Sequence, residues 1–140
     1  MRLLVTGSRD WGEEVERVGP AGELTTRRTL RAIEQEFHLL SALWSATKHS
    51  TSVTLVHGAC PTGADHFAAA HAERMGWTVE AHPADWSQGR GAGPERNKRM
   101  VALGADLCLA FPFGASRGTR GCMVLAEKAG IPVRVFEPPA

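Results

Sequence analysis

Five short apolar runs, Leu3–Thr6, Val53–His57, Thr78–His82, Leu107–Phe111 and Val133–Phe136, alternate with segments of helical character. This alternation constrains the fold more than any other feature. Several runs are almost continuously apolar, the pattern of strands covered on both faces in a parallel sheet. A β-α-β-α-β-α-β-α-β order needs right-handed crossovers and gives an α/β fold: a doubly wound, mainly parallel five-stranded sheet with helices on both faces. Ligands of such sheets bind outside the carboxyl ends of the strands, so function is expected in the strand-to-helix loops.

The helices are expected as follows. Leu30, Ile33, Phe37, Leu40 and Trp44 recur at steps of three and four and form one stripe of a long first helix, which is expected to pack on the sheet. A second helix runs from about Gly63 to Met75, with Ala64, Phe67, Ala68, His71 and Met75 on one face and Gly76 as its stop. Thr62 and Asp65 stand in capping-box spacing at its start. A third helix opens at Pro94 and continues to about Gly104, with Met100 and Leu103 inward, and a fourth runs from about Thr119 to Ala129. The stretch 10–23 lacks periodicity and reads as a loop insertion, a candidate lid.

At 140 residues the chain fits a single domain, 1–140. A net charge of +1 gives no global attraction to nucleic acid, and 43% hydrophobic content excludes a disordered chain. Three cysteines, Cys60, Cys108 and Cys122, are too few and too scattered for a disulfide framework, so a reducing compartment is expected. No stretch approaches the roughly 18 to 20 apolar residues of a membrane span, and the short apolar start does not resemble a signal peptide. The expectation is a cytoplasmic protein with no membrane partner.

Three loops carry the anion-binding signal. Gly58-Ala59-Cys60-Pro61-Thr62-Gly63 joins the second strand to a helix, so free backbone N–H groups and the helix dipole can face a phosphate. Its glycine spacing matches a P-loop, but Ala64 and Asp65 stand where Lys and Ser or Thr are required, which argues against a nucleoside triphosphatase of that class. Asp65 reads equally as a helix cap and as a carboxylate for ribose hydroxyls. Pro112-Phe113-Gly114-Ala115-Ser116-Arg117-Gly118-Thr119 is a second cradle, with Thr119 as its helix cap. Gly7-Ser8-Arg9-Asp10 offers a tight turn, a hydroxyl and a guanidinium. Arg96 shares the inward stripe of Met100; its charge needs either a carboxylate such as Asp85 or a ligand phosphate, the second being the reading preferred here, with Asn97 beside it.

Arg90, Arg96, Lys98 and Arg99 form a basic cluster near Trp86, an arrangement that can stack a base or bind single-stranded nucleic acid. His66 and His71 are five residues apart and diverge around a helix, so no metal site is expected; His71 is read as core-lining and His66 as solvent-facing. Cys60 is read as a small loop residue, and Cys108 and Cys122 as packing residues.

Gly7-Ser8-Arg9-Asp10-Trp11, Gly58 through Asp65, Pro83-Ala84-Asp85-Trp86, Ala92-Gly93-Pro94-Glu95-Arg96-Asn97 and Ser116-Arg117-Gly118-Thr119 occur in this order over nearly the whole chain. In this the sequence resembles the YspA-like, YpsA-related branch of the SLOG superfamily, to which the Lonely-guy phosphoribohydrolases and the DNA-processing protein DprA belong. The resemblance implies a Rossmann-like fold and a nucleotide-derived ligand such as ADP-ribose. Lonely-guy enzymes carry Pro-Gly-Gly-x-Gly-Thr-x-x-Glu with a catalytic glutamate; here Gly118-Thr119-Arg120-Gly121 leads to Cys122 in that place, which argues against the same glycosidic hydrolysis.

The function expected is therefore binding or sensing of a phosphorylated nucleotide derivative, with no cofactor or metal required. Gly7, Ser8, Arg9, Asp10, Gly58, Pro61, Thr62, Gly63, Asp65, Trp86, Arg96, Asn97, Pro112, Gly114, Ser116, Gly118 and Thr119 are the candidate ligand-binding residues. Hydrolysis of such a ligand and binding of single-stranded nucleic acid are the alternatives, no catalytic residue is assigned, and self-association through the first helix is expected.

Overall fold

The computed structural model describes residues 1–20 and 25–139. Five parallel strands, β1 (Arg2–Gly7), β4 (Thr54–His57), β5 (Thr78–Ala81), β6 (Leu107–Phe111) and β7 (Val133–Val135), form one sheet in the order β5-β4-β1-β6-β7. Helices α1 (Leu30–Thr47) and α2 (Gly63–Met75) lie on one face, α3 (Ala92–Ala102) and α4 (Arg117–Lys128) on the other. This is the doubly wound, Rossmann-like α/β arrangement that the alternation predicts. Side chains of β1 alternate between two cores: Leu3 and Val5 join Leu39, Leu43, Leu55 and Leu109 under α1 and α2, whereas Leu4 joins Val56, Met100, Cys122 and Ala126 under α3 and α4. Chain direction across the sheet reverses between β1 and β6, which opens a crevice at their carboxyl ends.

Several expectations are corrected. The expected stripe on α1 is only partly inward: Leu30, Phe37 and Trp44 are 71%, 65% and 61% exposed, whereas Ile33 and Leu40 are half-buried, Leu40 against the core. The helix instead buries Ala32, Gln35, Leu39, Ala42 and Leu43. Periodicity identifies residues sharing a stripe, not which of two stripes meets the sheet, and small Ala32 and Ala42 allow the closer approach. Met75 and Leu103 are likewise exposed, because α2 packs through Ala64, Ala68 and Ala72 and α3 through Met100 and Val101. His71 is only half-buried, its ring edge against Trp77.

The insertion is not an irregular loop. It carries the first strand of an antiparallel hairpin, β2 (Val15–Val18), paired with β3 (Thr25–Arg28) just beyond it, with Val15 opposite Arg28; positions 21–23 of the expected loop lie outside the described residues. The root of the hairpin is fixed by Trp11, which is fully buried with its ring edge on Phe111. Its indole Nε1 donates to the Gln35 carbonyl at 2.8 Å, and the Gln35 side-chain oxygen accepts the Gly12 N–H at 2.8 Å. Gly12 has φ +75°, and a Cβ there would lie 2.6 Å from the Phe67 ring. Arg28 closes the root from the other strand, paired with Glu36 at 2.7 Å and over the Phe67 ring.

Gln35→Ala leaves the buried Gly12 N–H without an acceptor and a void beside Trp11. It is expected to destabilise the chain by about 1–3 kcal/mol, read as a lower urea midpoint at unchanged m-value. An unchanged midpoint contradicts the anchoring role.

Candidate functional site

The three glycine-rich loops come together at the carboxyl ends of the adjacent strands β4, β1 and β6. Their backbone donors are used very differently. After β1, the Ser8 N–H donates to the Phe111 carbonyl at 3.0 Å, and the Ser8 carbonyl accepts from Ala64 N at 3.1 Å. The Ser8 hydroxyl accepts from Asp10 N at 3.0 Å. A Cβ on Gly7 would overlap that of Ala64 and lie 3.0 Å from that of Phe111. Gly7 thus permits α2 to close on β1, while Arg9 and Asp10 remain exposed.

After β4, the donors of the loop are turned inward. Asp65 Oδ2 accepts Gly58 N at 3.1 Å and Cys60 N at 3.2 Å, and His57 Nδ1 accepts Ala59 N at 2.9 Å. Gly63 N donates to Glu13 Oε1 at 2.8 Å. The capping box does not form: Thr62 makes no side-chain cap, and its hydroxyl donates to the Arg9 carbonyl at 2.9 Å. Thr62 and Pro61 are exposed.

Arg96 is half-buried below this loop. Its Nη1 donates to the carbonyls of Gly58 and His82, and its Nε donates to Asn97 Oδ1 at 2.8 Å. Asn97 Nδ2 donates in turn to the Gly118 carbonyl at 3.4 Å. Arg96 and Asn97 therefore tie together the ends of β4 and β5 and the start of α4. A Cβ on Gly58 would meet Arg96 Nη1 at 2.7 Å, so the glycine is needed for this contact. Asp85 is not its partner; that carboxylate caps its own 3-10 turn at Trp86–Gln88 by accepting from Ser87 and Gln88.

Burial pushes the Asp65 carboxyl up to about 6, outweighing the two N–H donors and the Arg96 charge, which act in the opposite direction. Burial also lowers the His57 pKa, helped by His82 and Arg96, so His57 stays neutral and keeps Nδ1 as an acceptor. With its native pKa raised, protonated Asp65 favours the fold below about pH 4, and this contribution is lost as pH rises towards about 6. Asp65→Asn is expected to flatten the fall in stability over that window, measured as urea midpoints from pH 4 to 7. A slope identical to that of the parent chain contradicts the assignment.

The loop after β6 is the exception. Gly114 has φ +65° and Ser116 φ +45°, and the Ser116 hydroxyl donates to Thr119 Oγ1 at 2.9 Å. Ser116, not Thr119, occupies the cap position, and Thr119 is buried. Among the described residues no protein acceptor serves the backbone N–H groups of residues 114–119. Arg120 instead holds the carbonyls of Gly114 and Ala115, each at 3.2 Å. Ala59, at φ +61°, and Ser116 are the two non-glycine residues with left-handed backbone among those described, one in each of these loops.

A cleft of about 330 Å³ lies beside this loop at the β1–β6 crevice, lined by Asp10, Glu13, Glu14, Val15 and Phe113. Arg31 sits over the Phe113 ring, 5.2 Å from its centre. Glu13, Glu14 and Phe113 are not singled out by sequence reasoning; the signal available is three carboxylates within the five positions 10–14 that follow the first strand. A larger hollow of about 600 Å³, lined by Phe37, Leu40, Trp44 and His71, lies on the outer side of α1 and α2. It is apolar, away from the strand ends, and contains none of the expected site residues.

Residues 1–89 match the family described as the YspA, cpYpsA-related SLOG family. The chain belongs to this family. It is 40% identical to the Gene 61 protein of Mycobacterium phage D29 over 146 aligned positions, covering 96% of this chain and 95% of that protein. No solved structure matches. Membership in the SLOG family suggests nucleotide-related binding. The match to the family spans the loops after β1 and β4, and the phage relative extends the similarity across α3, β6 and α4.

The remaining residues of this SLOG chain separate from the three loops. Trp86 is 60% exposed, with its ring against Gly93, where a Cβ would lie 3.0 Å away. The basic cluster is divided: Arg96 turns inward, Lys98 pairs with Glu95 at 3.5 Å, and Arg90 and Arg99 remain on the surface. Cys122, in place of the Lonely-guy glutamate, is fully buried, and burial raises its pKa. Cys60 is half-buried and free. Among the described residues no helix is long and apolar enough to cross a membrane.

Proposed function

We propose that the chain binds a phosphorylated nucleotide derivative, ADP-ribose-like in its chemistry, in the β1–β6 crevice. The phosphate docks on the N-terminus of α4, and the sugar and base occupy the cleft between Asp10, Glu13, Glu14 and Phe113. The observation that carries this reading is the uninterrupted set of backbone donors at residues 114–119 that lack a protein acceptor. Gly114, Ala115, Arg117 and Gly118 are exposed, so these donors are accessible to a ligand, and the partial positive charge of a helix N-terminus favours an anion there. Gly114, Ser116, Gly118 and Thr119 hold the phosphate, and Pro112 fixes the entry to the loop.

The Phe113 ring offers a face to a base, and cleft carboxylates accept hydrogen bonds from ribose hydroxyls. Arg96 and Asn97 act one layer below, holding the loops in register, and Asp65 does the same for the Gly58–Gly63 turn. In this reading that turn supports the site and does not itself hold phosphate. Family membership and the crevice position both support a nucleotide class of ligand.

Calorimetric titration with adenosine 5′-monophosphate and ADP-ribose tests the proposal. Gly118→Asp places a carboxylate in the first turn of α4, where the position is open and a negative charge favours the helix. The variant is expected to melt no lower than the parent chain and to bind both ligands on the order of tenfold more weakly. Undiminished binding by a folded variant removes the phosphate from this loop.

A further inference from the structure

Glu13 stands where an anionic ligand would stand at a second helix N-terminus. Its carboxylate accepts the N–H of Gly63, the first residue of α2, from 50 positions earlier in the chain. Most neighbouring N–H groups are also engaged: Gly58 and Cys60 serve Asp65, Ala59 serves His57, and Ala64 serves the Ser8 carbonyl, which leaves those of Thr62 and Asp65 without an acceptor among the described residues. Glu13 is also held firmly. Its own N–H donates to the Asp10 carbonyl at 3.1 Å, and the two preceding residues are the buried Trp11 and the Gln35-bound Gly12. The Glu13 backbone is therefore fixed at the root of the hairpin. The same side chain lines the cleft together with Asp10 and Glu14.

We infer that Glu13 is a specificity-determining residue of the nucleotide site. It places negative charge at the first N–H of α2, so that ligands carrying a single phosphate or pyrophosphate group are accepted at α4 and ligands with a second phosphate on the sugar are rejected. The inference rests on the binding reading given above and deepens it. The physical basis is twofold. A carboxylate already satisfies the Gly63 N–H and offsets the α2 dipole, and a second phosphate in the cleft faces the carboxylates of Asp10, Glu13 and Glu14. Uncharged ribose hydroxyls meet the same carboxylates favourably, as donors.

The test compares adenosine 5′-monophosphate with adenosine 3′,5′-bisphosphate by calorimetric titration of the intact chain and of Glu13→Gln, which keeps an acceptor for the Gly63 N–H and removes the charge. The parent chain is expected to favour the monophosphate on the order of tenfold, and Glu13→Gln to shift that ratio towards the bisphosphate by a similar factor. A parent chain that binds both equally overturns the inference whether or not the variant folds. A ratio unchanged by Glu13→Gln in a folded protein also overturns it while leaving the binding reading intact. Absence of binding by either probe to either protein removes the binding reading, and this inference with it.

Discussion

The parallel pairing of β1 with β6, from Leu3 opposite Leu107 to Gly7 opposite Phe111, is the contact on which the remaining architecture depends. The chain leaves β1 towards β4 on one side and returns to β6 on the other, so no connection covers the carboxyl ends of this central pair. The register brings Gly7 beside Phe111, and the bond from Ser8 N to the Phe111 carbonyl carries the pairing into the two loops. Trp11 packs its ring edge on that same Phe111, which fixes the hairpin root over one end of the crevice. Fold, crevice and cleft wall therefore share one set of contacts.

Two neighbouring helix N-termini are treated in opposite ways. At α2 the N–H groups of Gly58, Ala59, Cys60, Gly63 and Ala64 are taken by Asp65, His57, Glu13 and the Ser8 carbonyl, and Arg96 takes up the carbonyls of Gly58 and His82. The result is a turn bonded largely to itself, in which the buried Asp65 carboxyl is pushed up to about 6. At α4 the carbonyls are taken by Arg120 and the N–H groups are left without protein acceptors among the described residues. The difference does not come from glycine content, which is similar in the two loops. It comes from the carboxylates that accept: Asp65 and Glu13 at one loop and, among the described residues, none at the other.

The layered fold was legible because parallel strands buried on both faces are apolar over most of their length, and Leu3–Val5 and Leu107–Phe111 are. The face of α1 was not legible. Gln35 lies in the buried stripe because its side chain serves the Gly12 N–H, a requirement set by a segment distant in sequence, and it disguises that stripe as polar. The hairpin was missed because Val15–Val18 and Thr25–Arg28 are almost wholly exposed and carry no hydrophobic alternation. At the site, the positions of the three loops followed from the strand ends. What each loop does depends on long-range bonds such as Glu13 to Gly63 and Arg96 to His82, which no local spacing encodes. The glycines at 58 and 63 matched a phosphate-loop spacing, yet Gly58 is required by the Arg96 guanidinium and Gly63 by the approach of the Ser8 carbonyl.

The central claim is that phosphate is received at the head of α4 and not at the head of α2. Backbone amide chemical shifts, followed in an ¹⁵N-labelled chain titrated with adenosine 5′-monophosphate, test it directly. The amides of Gly114, Ser116, Gly118 and Thr119 are expected to move progressively with ligand, while those of Gly58, Cys60 and Gly63, already bonded to Asp65 and Glu13, stay close to their starting positions. Large shifts at Gly58, Cys60 and Gly63 with a silent 114–119 loop would contradict the account.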